Sequence, residues 1–396
     1  MGDFIMYTLL LAIIYLIFIS LGLPDSLLGS AWPVMRTQFN MPISAAGIVS
    51  MIISGCTIFS SLMSERLTKK FKTQYVTIIS VFLTAVALLG FSFSTHFYML
   101  CLWAIPYGLG AGAIDSAINN YVALYYNSRH MSWLHCFWGV GTIFSPYIMS
   151  LALNYSTWNN GYRMVSFIQL AIVAILFFTL PLWKKVKHKR HIVEQTYEVL
   201  GIKNAIKIKG VIYIFIGFFA YCAAEGTAIL WASSYLYGTR NLSEQTAAAF
   251  GSLFFIGMTV GRFISGLIAD KLGDHNMIKL GAFISIIGII FMLLSLNTDL
   301  FALSGLIIFG IGCAPVYPSI IHSTPDNFGE QNSQAIIGMQ MASAYVGTTF
   351  MPPLFGVIAN RIGLSFMPIF LFIFIFLMII MIEITFKTVK NKSQTN

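Results

Sequence analysis

Apolar runs of about 20 residues recur some dozen times along this chain, and that recurrence leaves few architectures open. A bilayer core is about 30 Å thick and an α-helix rises about 1.5 Å per residue, so one such run makes one crossing. With 57% of its 396 residues apolar and only 9% charged, the chain carries more apolar surface than a water-soluble core absorbs. The expected fold is an all-α integral membrane protein of twelve transmembrane helices. The spans fall near 5–36, 44–64, 74–94, 97–121, 132–155, 162–183, 210–237, 246–268, 276–296, 299–321, 333–357 and 364–386.

One long polar segment, 184–209, separates the sixth span from the seventh and is too rich in lysine to insert. It divides the chain into an N-terminal six-helix bundle (1–183), a central loop (184–209) and a C-terminal six-helix bundle (210–396). The loop's mixed charge and partial amphipathicity suit a helix lying on the membrane surface. Lys and Arg collect at alternate ends of the spans. Arg66, Lys69, Lys70, Lys72, Arg129, the central cluster, Arg262, Lys271, Lys279, Lys387, Lys390 and Lys392 lie on one side, and only Arg36, Arg163, Arg240 and Arg361 on the other. Positive loops stay cytoplasmic, so both termini and the central loop are expected in the cytoplasm of a multi-pass plasma-membrane protein.

The same distribution accounts for the net charge of +9 without nucleic acid. MGDFIMY lacks a basic leader region, so no cleaved signal is expected. The five cysteines sit in apolar spans with no CxxC pair or zinc-ligand spacing, and neither metal nor cofactor is expected. Walker-type GxxxxGK[ST], HExxH and GxSxG signatures are missing, which speaks against an enzyme.

The halves echo one another at an offset of 205 residues: Glu65 and Arg66 overlie Asp270 and Lys271, and Ser61 overlies Gly266. A small residue admits close helix approach, the acid caps or pairs, and a short basic loop turns the chain back. GRFISGLIADKLG, with Gly261, Arg262, Gly266, Asp270 and Lys271, resembles the loop signature of the major facilitator superfamily, and Ser61 to Phe71 resembles a degenerate copy. The resemblance implies two pseudo-symmetric bundles that rock about a central cavity and expose a mid-membrane site to either side.

Ionisable side chains within lipid are costly, on the order of 3 kcal/mol each, so those deep in spans are functional candidates. Asp115 and Asn119 lie one turn apart on one helix face, with Asn120 beside them. Gly108 and Gly112 on the same helix leave a packing role open as well. In the fifth span His135 and Trp138 lie within a turn: the imidazole can carry a proton and the indole can stack on a sugar ring, or they can mark the cytoplasmic boundary and a core contact. Asp25 follows Pro24, where a helix would bend around water; the alternative places it at the outer end of a shorter span. Glu225 falls near the midplane with Tyr221 on its face, and Trp231 and Tyr235 form a further same-face pair. Gln169, Tyr317, His322, Gln340 and Tyr345 are weaker candidates, more often interhelical hydrogen-bonding groups.

GLGAGAIDSAINNYV resembles the fourth-helix motif of the fucose/glucose/galactose symporter group, and LHCFWGVGTIFSPYI with Tyr221 to Glu225 resembles its sodium-dependent glucose transporter branch. The resemblance implies ion-coupled uptake of a monosaccharide, with H+ favoured over Na+. Asp25, Asp115 and Glu225 are then the proton-coupling candidates. Asp115, Asn119, Asn120, His135, Trp138, Tyr221, Glu225, Trp231 and Gln340 are the substrate-binding candidates. Three departures argue against fucose itself: Asp115 stands for a longer Glu, Asn120 for Pro, and Trp138 for a polar residue. The alternative is proton-driven efflux of a drug or amphipathic solute, which would want a greasier cavity. A monomer is expected.

Overall fold

The computed structural model describes residues 2–42, 44–185, 199–240, 250, 253–294 and 299–393. It is helical throughout: α1 Gly2–Gly22, α2 Leu27–Gln38, α3 Ala45–Ser92, α4 Phe97–Tyr125, α5 Ser128–Tyr155, α6 Trp158–Lys185, α7 Gly201–Ala205, α8 Val211–Arg240, α9 Leu253–Leu272, α10 Asp274–Leu293, α11 Leu300–Cys313, α12 Val316–His322, α13 Thr324–Phe328, α14 Glu330–Ile362 and α15 Met367–Ser393. Among the described residues, 11 helical stretches are long and apolar enough to cross a membrane. One of these, α3, is two crossings merged across Lys72, whose backbone (φ 61, ψ 154) leaves the helical region. Twelve crossings result, as expected. The turn anticipated between 64 and 74 shrinks to this single pivot. The surface helix expected in the central loop falls mostly on 186–198, outside the described residues, as do 246–249 of the eighth predicted span.

The first crossing is α1 and α2 joined at Leu23–Ser26, and the tenth is α11 and α12 joined at Ala314–Pro315. Both breaks carry proline, which has no N–H to donate and cannot continue the ladder. The bend expected after Pro24 is therefore present.

The chain folds as two compact units. One gathers the residues up to Tyr121 with Leu134–Val199; the other gathers Val122–Trp133 with the residues from Leu200 onward. In the first unit, Leu27, Trp32, Val49, Phe91, Tyr107, Trp158 and Tyr162 share an apolar core. Close helix approach needs small residues there. A Cβ on Gly112 would run into Thr57 O and the Ser60 and Ser61 hydroxyls, and those hydroxyls lie against α4 carbonyls, Ser61 Oγ donating to Gly112 O at 3.2 Å. The predicted small-residue role of Gly108 and Gly112 is thus real and directed at α3, and it leaves Asp115 and Asn119 to other partners.

In the second unit, Gly266 lies under the Trp133 indole, where a side chain would clash. Asp270 receives the Arg129 backbone N–H at 3.0 Å and pairs with the Arg129 guanidinium. Its counterpart Glu65 is half-buried, while Arg66 and Lys271 are exposed. Arg262 departs from the loop reading: it is buried with 5% exposure on the inward face of α9, and its charge is spent inside the bundle. Three helical turns separate it from the loop, so it cannot serve the loop's surface charge.

Candidate functional site

The break in the first crossing organises the polar groups of the first unit. Because Pro24 has no N–H, Ser20 O loses its helical donor four residues on, and Gln169 Nε2 from α6 supplies one at 2.8 Å. Ser20 O can only accept, which fixes the amide with its nitrogen toward Ser20 and leaves Gln169 Oε1 3.2 Å from Thr84 Oγ1 of α3. The Asp25 N–H turns back to Gly22 O at 3.2 Å, and the next helix starts from Pro24 O, which accepts from Leu27 N.

Both Asp25 carboxylate oxygens are held by neutral donors from other helices. Tyr107 OH of α4 donates to Oδ1 at 3.1 Å, and Trp138 Nε1 of α5 donates to Oδ2 at 2.9 Å. Asp25 as a residue nonetheless remains exposed. Trp138, expected to offer its face to a sugar, has its N–H committed to the acid. Tyr107 was missed in sequence. The signal was there, since a tyrosine hydroxyl inside an apolar span requires a partner.

One helical turn links the second group. Asn119 Nδ2 donates to Asp115 Oδ1 at 2.8 Å and to Asp115 O at 3.0 Å, and Asn119 Oδ1 lies 3.2 Å from His135 Nε2. An amide oxygen only accepts, so His135 Nε2 carries hydrogen and the order runs from imidazole through amide to carboxylate. Asp115, Asn119, Asn120 and His135 are all buried, with 4%, 0%, 6% and 5% exposure. His135 lies two turns inside α5 and packs edge-on against Phe18 at 5.5 Å, so it is buried within its bundle.

In the second unit Glu225 is buried on α8. Tyr221 OH lies 3.1 Å from Glu225 Oε1 and 2.9 Å from Cys313 O, at the end of α11. Arg262 pairs with the same Glu225 oxygen at 3.5 Å. Glu225 is thus an ion-pair partner, and sequence spacing gave no hint that Arg262, 37 residues on, would be that partner.

Two further second-unit candidates, Trp231 and Tyr235, are tied to backbone. Trp231 Nε1 donates to Pro352 O at 2.8 Å and Tyr235 OH to Met292 O at 2.7 Å. Gln340 is fully buried; its Oε1 accepts from Thr324 at 3.0 Å, while its Nε2 makes no protein hydrogen bond. His322 sits apart, between Asp274 Oδ2 at 2.6 Å and Tyr126 O at 3.0 Å, with Ser128 Oγ donating to the other Asp274 oxygen. Tyr317 packs on Phe218, 4.7 Å between ring centroids.

Comparison with known proteins bears on this arrangement. The profile of the Major Facilitator Superfamily matches residues 14–339 and 214–396. Bypass of stop codon protein 6 of Saccharomyces cerevisiae is 21% identical over 389 residues, covering 89% of this chain and 78% of that protein. The glucose/mannose transporter GlcP of Bacillus subtilis is 20% identical over 358 residues, covering 88% and 87%. Among solved structures, the E. coli fucose:proton symporter FucP superposes with a TM-score of 0.75 at 15% identity, covering 96% of this chain and 99% of that one. The proton:xylose symporter XylE superposes with a TM-score of 0.76 at 12% identity, covering 96% and 95%. A profile matched across nearly the whole length, twelve crossings and a shared fold lead to one conclusion: this chain belongs to the Major Facilitator Superfamily of membrane transporters.

Proposed function

We propose that this transporter takes up a monosaccharide together with a proton, by alternating access, with Asp25 as the site where the proton binds. The observation that carries the reading is the Asp25 constellation: an exposed aspartate on a broken transmembrane helix, its carboxylate held by Tyr107 and Trp138. An ionised carboxylate is expensive to carry through an occluded, low-dielectric state unless it is neutralised. A proton on Asp25 removes that cost, and sugar hydroxyls bound nearby offset the desolvation of the remaining polar groups.

Asp115, Asn119 and His135 supply donors and acceptors in a fixed order, which suits a polyhydroxy ring. Asn120 flanks them, and the Trp138 face suits the ring's C–H side. Glu225, Tyr221 and Gln340 are the corresponding polar groups of the C-terminal half. Such tied networks fit a small hydrophilic solute better than a greasy drug. The sugar specificities of FucP, XylE and GlcP support the class of solute. The reading includes a plasma-membrane location, cytoplasmic termini and a functional monomer, with bundles at 1–183 and 210–396 about a cytoplasmic loop at 184–209.

Reconstituted into proteoliposomes, the protein should accumulate at least one labelled monosaccharide above equilibrium when the outside is made acidic. Saturable flux that ignores the gradient would remove the proton, and a sodium requirement would reassign the ion. Absence of thermal stabilisation by any member of a sugar panel would remove the solute class.

A further inference from the structure

At the break in the first crossing lies a small cavity whose lining includes Ser20, Leu21, Pro24, Thr84, Tyr107 and Gln169. Ser20 Oγ, 1% exposed, makes no hydrogen bond to the protein, although a hydroxyl buried in an apolar bundle has reason to find a partner. The space is about the size of one water, and Ser20, Thr84, Tyr107 and Gln169 of the lining carry polar groups.

We propose that this cavity is a binding site for one water molecule, which joins Ser20 Oγ to the Tyr107 hydroxyl and so fixes that hydroxyl on Asp25. Ser20 donates to the water, and the water donates to the Tyr107 oxygen. Tyr107 has one hydrogen, which then points at Asp25 Oδ1. Each donor in the row polarises the next, so the water strengthens Tyr107 as a donor to the carboxylate. Gln169 holds one wall of the site in place through Ser20 O, and Thr84 offers the water a further acceptor. The lining carries no carboxylate, which favours a neutral water over a cation. The ionisable groups facing Asp25 are Tyr107 and Asp115 of α4, and Tyr162 of α6 faces Tyr107. The effect on coupling rests on Asp25 being the proton site; the water site itself does not.

Radiolytic hydroxyl labelling of the full chain in lipid nanodiscs reads the site directly, because radicals formed from internal water oxidise the side chains beside it. Pro24 and Tyr107 should be labelled in the native protein, and about fivefold less in Ser20→Val, which fills the space, with exposed Tyr98 unchanged. Ser20→Ala, which removes only the hydroxyl, should give a loss of about twofold. Equal labelling in all three proteins overturns the site, and labelling that changes between sodium and choline buffers makes the occupant a cation. Gradient-driven uptake in Ser20→Val should fall about fivefold relative to sugar counterflow, the exchange that needs no net proton movement. Labelling lost with that ratio unchanged overturns the link to Asp25. A native protein blind to the gradient overturns the proton reading, while the labelling still decides the water.

Discussion

At Trp138 the proposed function asks two jobs of one side chain, because the indole N–H serves Asp25 while the ring is the proposed surface for the solute. Trp138→Phe separates them. It should leave sugar affinity within about threefold while gradient-driven uptake drops about tenfold, since a hydrogen bond to a charged group is worth about 1.5–3 kcal/mol. Initial-rate uptake with and without a gradient checks this, and a large rise in KM with coupling intact would assign Trp138 to the sugar alone. Glu225 and Arg262 pose a different problem, because each neutralises a charge that has little contact with water. Removing one partner strands the other at a cost of about 3–5 kcal/mol, whereas replacing both with apolar residues of similar volume is often neutral. Glu225→Gln should therefore melt well below the native protein in detergent, and the double variant Glu225→Leu with Arg262→Met should recover most of the loss. Equal losses in the two would show that the pair is not what holds that site.

At the scale of the helix, the first crossing depends on an exchange of donors: Pro24 withdraws one from Ser20 O and Gln169 provides another. Gln169→Leu leaves that carbonyl buried without a partner, at a cost of about 1–3 kcal/mol and a lower melting temperature. Pro24→Ala returns the backbone N–H, so adding it to Gln169→Leu should restore stability while straightening the helix and impairing transport. A double variant no more stable than Gln169→Leu would contradict this account of the break. The bend could be read from LPDSLLG, because proline acts through its own missing N–H. The identity of the helix that compensates could not, since it lies 149 residues away. Tyr107 escaped notice for the same reason: its partner Asp25 is 82 residues distant, and no local period connects them. The turn-spaced pairs Asp115 with Asn119 and Tyr221 with Glu225 were legible, because helical geometry alone brings them together.

For the molecule as a whole, the repeated apolar runs, the basic loops and the duplicated loop motif make the architecture legible in the sequence. Each follows from a constraint that lipid imposes along the sequence. Arg262 shows where that legibility ends. It was assigned to the loop motif by its neighbours in sequence, yet the helix turns it inward to Glu225. Bundles made of tied polar networks on broken helices suit a machine that must desolvate a polar solute and a charge in the same step. The central claim is that Asp25 carries the proton that travels with the sugar. The most direct measurement is proton entry into proteoliposomes on sugar addition, followed with a trapped pH-sensitive dye, in the native protein and in Asp25→Asn. The account predicts sugar-evoked acidification in the native protein and none in Asp25→Asn, which should still exchange labelled for unlabelled sugar. Acidification that persists in Asp25→Asn would contradict it.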